Sequence, residues 1–247
     1  MSLPRDLCMG NVEEIIDRLG LTEIAGDTTP ERMVLTSPMV PDGPVGALRI
    51  FDRPGVVRLV YVGLSVPMIQ LDSHMMFAFT PLDSAVPHFT LDSVGNDDDF
   101  AFHLDCIPRL DLGANLDYMD HCYGPLTPIR AECQAIEGLH KANIGERQWA
   151  LMSEWMIVHR ASEGAFKEIS TTVAAYRDHW LDLMEQGIPS ALVEVTAEDL
   201  ATRDKRNRDA IFNPDVDAVW SRVSQLLGEE QSEAVRLTLA TQGNGVA

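Results

Sequence analysis

The sequence predicts an α+β protein, an α/β/α sandwich in which helices flank a central antiparallel sheet. Three observations predict this class: strand-like apolar segments fill the first half of the chain, helical periodicity dominates the second, and strands do not alternate with helices. Breaks such as PDGP, DRPG and GNDDD are too short to hold a crossover helix. Consecutive strands are therefore expected to pair antiparallel, as a meander.

The elements follow in order along the chain. An amphipathic helix is expected at 11–19, because its apolar residues recur on one helical face and a glycine follows it. Six strands are expected at 33–37, 46–51, 56–63, 68–79, 88–94 and 100–107. Helices are expected at 146–155, 161–185, 215–227 and 231–239. We therefore expect one domain over 1–247, with the sheet mainly in 33–107 and the helices mainly in 114–240.

Composition excludes several classes of function. With 38 acidic and 19 basic residues, the formal charge of −19 would repel a phosphate backbone or an anionic membrane surface. No apolar stretch reaches the roughly 18 residues that span a bilayer, so we expect a cytoplasmic protein. The four cysteines form no CxxC pair and no zinc pattern, and no nucleotide, flavin or zincin motif is present. We expect no bound metal and no bound flavin.

Titratable residues occur at alternate positions of three neighbouring strands, where side chains two apart share a face. From this alternation we expect His74, Asp92, His103 and Asp105 to gather on one surface of the sheet. A sheet with one solvent-exposed face would give the same pattern. If helices cover that face, however, the four groups become a buried pocket with shifted pKa values, which is typical of an active site.

The stretch VPHFTLDSV, followed by FAFHLDCIPRLDL and LDYMDHCYGPL, resembles the superfamily of ferredoxin-dependent bilin reductases and red chlorophyll catabolite reductases. The resemblance covers roughly residues 50 to 125 and implies the same α/β/α sandwich. It also implies that an open-chain tetrapyrrole lies between the sheet and the C-terminal helices. Asp105, Arg109 and Tyr118 are similar to the run that the plant catabolite reductases carry.

The resemblance also implies roles for individual residues. His74 and Asp92 match a proton-donating pair, while external ferredoxin supplies electrons one at a time and no cofactor is bound. Residues expected to contact the substrate are Arg58, Tyr61, Gln70, Met76, His103, Asp105, Arg109 and Tyr118. The habit of the superfamily further suggests a homodimer.

Three functions remain open at this point. The first is a linear tetrapyrrole reductase. The second is a cofactor-independent lyase that removes formaldehyde from a lignin-derived phenolic dimer and leaves a stilbene. It is favoured because Arg58, Tyr61 and Gln70 are the polar residues available where many family members place a catalytic glutamate, and because the charge of −19 opposes docking of an acidic ferredoxin. The third is a binder of pigments or aromatic compounds that performs no chemistry.

Overall fold

The computed structural model describes residues 2–96 and 99–242. In these residues a nine-stranded antiparallel sheet lies between two layers of helices, which confirms the predicted fold class. The strands are β1 (Thr22–Ile24), β2 (Met33–Ser37), β3 (Val40–Arg53), β4 (Val57–Val66), β5 (Leu71–Phe79), β6 (His88–Asn96), β7 (Asp99–Ile107), β8 (Leu139–Lys141) and β9 (Ile157–Ala161). The helices are α1 (Leu3–Leu19), α2 (Leu116–Tyr123), α3 (Leu126–Gln134), α4 (Glu146–Leu151), α5 (Glu163–Glu168), α6 (Ser170–Gln186), α7 (Ala197–Ile211), α8 (Val219–Leu227) and α9 (Glu229–Ala240).

The sheet is a meander at its centre, as predicted. Its strand order is β1-β3-β4-β5-β6-β7-β9-β8, and β2 also pairs with β3. The difference lies in β8 and β9, which come from the half of the chain expected to be helical and extend the sheet beyond β7. The helix expected at 146–155 ends at Leu151, because the chain turns there and enters β9.

The first helical layer covers one face of the sheet. Helix α1 begins earlier than expected, at Leu3, where the Ser2 side chain caps it and Pro4 occupies its first turn. The side chains of Cys8, Val12 and Ile15 are completely buried in the core on this face. Helix α6 contributes Trp180, whose indole nitrogen donates to the carbonyl of Pro87 at 2.8 Å.

The second helical layer covers the opposite face. It consists of the C-terminal end of α7 together with α8 and α9. Here Phe77 and Phe79 of β5 pack against the ring of Phe212, which in turn contacts Trp220. Burial of these aromatic rings removes a large apolar area from water and stabilises the contact between the sheet and this layer.

A buried polar cluster also joins the sheet to this second layer. The Nε2 atom of His88 lies 2.6 Å from Oδ1 of Asp204 on α7, and Asp204 also pairs with Arg208 at 2.7 Å. The backbone amide of Thr80 donates to Nδ1 of His88, so the proton of the neutral ring is on Nε2 and points to Asp204. The side chains of His88, Asp204 and Arg208 are all buried, and each has a hydrogen-bond partner.

No helix in the described part of the chain is both long enough and apolar enough to cross a membrane.

Candidate active site

A cavity of about 400 Å³ lies between the sheet and the second helical layer. Its sheet side is formed by β5, β6 and β7, and its helical side by α4, the loop before β9 and the residues around α8. The walls are mainly apolar, with Phe77, Met152, Met156, Phe212 and Trp220 among the lining side chains. A largely apolar cavity with a few polar groups is the usual form of a small-molecule site.

One row of the sheet places a carboxylate and an imidazole in this cavity. Antiparallel pairing sets Met75, Asp92 and His103 side by side on adjacent strands, and all three line the cavity. The Nδ1 atom of His103 lies 3.4 Å from Oδ2 of Asp92, a long hydrogen bond. Within the described residues, Oδ1 of Asp92 and Nε2 of His103 are buried and have no hydrogen-bond partner. The pair therefore has one acceptor and one ring nitrogen free to bind a ligand.

The surroundings of His103 favour its protonated form. Burial alone would lower the pKa of the imidazole, but the hydrogen bond and charge of Asp92, with the charges of Asp105 and Asp217, outweigh it and raise the pKa above its ordinary value. At neutral pH, His103 is therefore protonated in a larger fraction of molecules than an exposed histidine would be. An imidazolium that faces an apolar cavity can act as a general acid.

Asp217, which sequence reasoning missed, lies on the helical side of the same cavity. Its Oδ1 accepts a hydrogen bond from the backbone amide of Val219 at 3.0 Å, which fixes it at the start of α8. Burial and the negative charge of Asp92 raise the pKa of its carboxyl group. The sequence carries the signal of an aspartate just before a helix, but only the folded chain brings that helix opposite β6 and β7.

His74 lies on the other face of the sheet, so the prediction that His74 and Asp92 share one pocket is wrong. Met75, not His74, stands opposite Asp92, while His74 pairs with Ser93. The ring of His74 is buried under α1, with Nδ1 2.7 Å from the Tyr61 hydroxyl and Nε2 3.0 Å from Oδ1 of Asp72. Burial lowers the pKa of His74, although Asp72 opposes the shift.

Asp105 shares the face of Asp92 and His103, as predicted, but does not line the cavity. Its carboxylate is completely buried and accepts hydrogen bonds from the backbone amide and the hydroxyl of Ser153. Burial raises the pKa of Asp105 to about 6, against the lowering effects of His103 and Ser153.

The other residues expected to contact substrate also lie outside this cavity. Met76 and Tyr61 are buried in the core on the α1 face. Arg109 donates to Thr80 Oγ1 and to the carbonyls of Pro81 and Leu82, and so holds the connection between β5 and β6.

Three positions remain from the same prediction. Tyr118 donates to the carbonyl of Ala85 at 2.7 Å. Arg58 pairs with Asp52 at 3.2 Å, and Gln70 ends the short turn between β4 and β5 in a left-handed conformation. Each of the three side chains thus has a structural position away from the cavity.

Within residues 2–96 and 99–242, no three His, Cys, Asp or Glu side chains form a group that could hold a metal ion.

Comparison with known proteins identifies the architecture. No protein-family model and no curated protein matches the sequence. Among solved structures, the chain is similar to phytochromobilin synthase from tomato, crystallised in complex with biliverdin, with a TM-score of 0.72 and 16% sequence identity. The similarity covers 98% of this chain and 84% of the tomato protein. At this identity the match shows that the two chains share a fold, and the function has to be argued from the cavity.

Proposed function

We propose that this protein is an acid/base enzyme that protonates a conjugated substrate in the cavity, most like a ferredoxin-dependent reductase of linear tetrapyrroles. The observation that carries the proposal is the Asp92 and His103 pair, which offers a free Oδ1 and a free Nε2 to an apolar cavity. The shared fold with a protein solved in complex with biliverdin supports a tetrapyrrole as the substrate.

In this proposal His103 donates the first proton from Nε2. Asp92 accepts the Nδ1 hydrogen bond, holds the ring toward the cavity and stabilises the imidazolium before transfer. Reduction of one double bond consumes two electrons, taken one at a time from two reduced ferredoxins, and two protons. The second proton comes from Asp217, which lines the same cavity and whose pKa is raised by burial and by the charge of Asp92.

The test is anaerobic turnover of biliverdin with and without reduced ferredoxin, followed by absorbance. Asp92→Asn and His103→Gln should each lower kcat by about 10²- to 10⁴-fold, the usual contribution of a positioned acid or base. Asp209→Asn and His140→Gln are matched controls, because both side chains are exposed and neither lines the cavity. Unchanged kcat in the Asp92 and His103 variants would remove the pair from the mechanism.

A second candidate is the lyase that acts on a phenolic aromatic dimer. It is favoured by the cavity volume of about 400 Å³, which lies near the lower end of the roughly 300 to 1,000 Å³ typical of ligand sites and suits two aromatic rings better than four pyrroles. Asp92 would remove the proton of a hydroxymethyl group, and the carbon–carbon bond would break to release formaldehyde. The electron pair of that bond would form the stilbene double bond while an oxygen leaving group departs from the neighbouring carbon, protonated by His103.

The two candidates separate in one experiment. Formaldehyde released from the phenolic dimer without ferredoxin supports the lyase, whereas ferredoxin-dependent bleaching of biliverdin supports the reductase. Binding of either compound without product would support a protein that only binds pigments or aromatic compounds.

A further inference from the structure

The buried carboxylate of Asp105 lies next to His103, the proposed acid, but does not line the cavity where the substrate would bind. Asp105 lies two residues from His103 on β7, so their side chains share a face about 7 Å apart along the strand. Its cross-strand neighbour is Thr90, which carries no charge. The carboxylate is sealed from solvent and from the cavity.

Both of its oxygens are used to hold one turn. The Ser153 amide donates to Oδ2 at 2.9 Å and the Ser153 hydroxyl donates to Oδ1. The same hydroxyl oxygen accepts from the amide of Trp155 at 3.1 Å, which closes the turn between α4 and β9. Met152 and Met156, on either side of this turn, line the cavity. By binding Ser153, Asp105 therefore holds the backbone that carries Met152 and Met156 in the cavity wall.

We infer that Asp105 is a positioning residue of the proposed active site. It fixes the Ser153 turn, and with it the side chains of Met152 and Met156 in the cavity wall. It also places a negative charge next to His103 on the same face of β7. The inference rests on the proposed function for its catalytic meaning. It does not depend on which of the two substrates is correct.

The charges that face His103 come from three directions. Asp92 lies beside it on β6, Asp217 lies across the cavity before α8, and Asp105 lies two residues further along β7 on the same face. Each of the three raises the pKa of the imidazole. Asp105 differs from the other two because it does not line the cavity, so a bound substrate leaves its charge in place.

The test separates the charge from the turn. In Asp105→Asn an acceptor for Ser153 remains but the charge is lost, and the pKa of His103, measured by NMR titration of labelled histidine, should fall by up to about two units, as expected for charges about 7 Å apart at an effective dielectric of about 20. The alkaline limb of the kcat/KM profile should move to lower pH by the same amount. In Ser153→Ala only the hydroxyl hydrogen bond is lost and the backbone amide still donates to Oδ2, so KM should rise several-fold while the pKa of His103 falls by less than in Asp105→Asn.

Asp209→Asn, an exposed aspartate on α7, is the control and should change none of these values. An unchanged pKa of His103 in Asp105→Asn would overturn the inference. If that variant does not fold, the wild-type titration decides: the His103 signal should show a second inflection near the pKa of Asp105, about 6, and its absence would overturn the inference equally. Neither titration requires turnover, so both results stand if biliverdin is not the substrate.

Discussion

At the scale of single residues, alternation along a strand predicts which side chains share a face, but not how two strands are aligned. Asp92, His103 and Asp105 were placed together correctly, since β6 and β7 are joined by a short break that leaves little freedom of register. The connection between β5 and β6 spans residues 80–87, too long for turn geometry to fix the register. The pairing that forms sets Met75 opposite Asp92, and a shift of one residue is enough to place His74 on the other face.

The position of His74 leads to a prediction that distinguishes it from His103. His74→Gln should lower the free energy of unfolding by about 1 to 3 kcal/mol, because the buried Tyr61 hydroxyl and Asp72 lose a well-placed partner. Turnover per folded molecule should stay at the wild-type level, since the ring lies on the face away from the cavity. Urea denaturation and kinetics of the same sample measure both effects, with His140→Gln as the control. A loss of turnover without a loss of stability would return His74 to the active site.

At the scale of elements, the strands with clear apolar runs lie within three residues of their predicted ends, except that β3 begins at Val40 and not at 46. Elements that depend on their neighbours are not predicted. Strand β9 has only five residues, and it is recognised as a strand because β7 supplies its hydrogen-bond partners. The helical pattern expected at 161–185 is broken at Ile169 into α5 and α6. Periodicity predicts the apolar side of such segments, but a break in the helix axis leaves that pattern nearly unchanged.

A pair of glycines tests how closely β4 packs against its neighbours. A Cβ atom at Gly63 would lie 2.4 Å from the Tyr61 hydroxyl oxygen and 3.0 Å from Nδ1 of His74, whereas one at Gly10 in α1 would meet nothing within 4 Å. Gly63→Ala should therefore destabilise the fold by about 1 to 3 kcal/mol through overpacking. Gly10→Ala should stabilise it by about 0.5 to 1 kcal/mol, as expected for alanine in a helix. Thermal or urea unfolding measures both, and an equal response of the two variants would contradict the close packing around Tyr61 and His74.

At the scale of the whole molecule, the polar link between His88 and Asp204 joins the sheet to the helices that close the cavity. Burial, aided by the charge of Arg109, lowers the pKa of His88 to about 4. In the unfolded chain an ordinary histidine takes up a proton near pH 6.5, so only the unfolded state gains this proton between about pH 6.5 and 4. The free energy of unfolding should therefore fall as the pH falls through that window, by up to about 1.4 kcal/mol per pH unit from this group.

Denaturation at several pH values between 7.5 and 4.5 tests this coupling. His88→Gln can still donate toward Asp204 but does not titrate, so its stability should depend on pH less steeply than that of the wild type. His140→Gln, in which an exposed histidine is replaced, should keep the wild-type slope. Equal slopes in the wild type and His88→Gln would show that His88 is not held neutral in the folded protein.

The two walls of the cavity are far apart in the sequence, with β5 to β7 on one side and residues as late as Leu239 on the other. During synthesis on the ribosome the sheet therefore emerges long before the helices that cover it. Its aromatic face, with Phe77 and Phe79, stays exposed until α7 to α9 have left the exit tunnel, and such surfaces favour aggregation and chaperone binding. A chain interrupted before α8 would contain Asp92 and His103 but no enclosed cavity, so the proposed active site forms only after α8 has been synthesised.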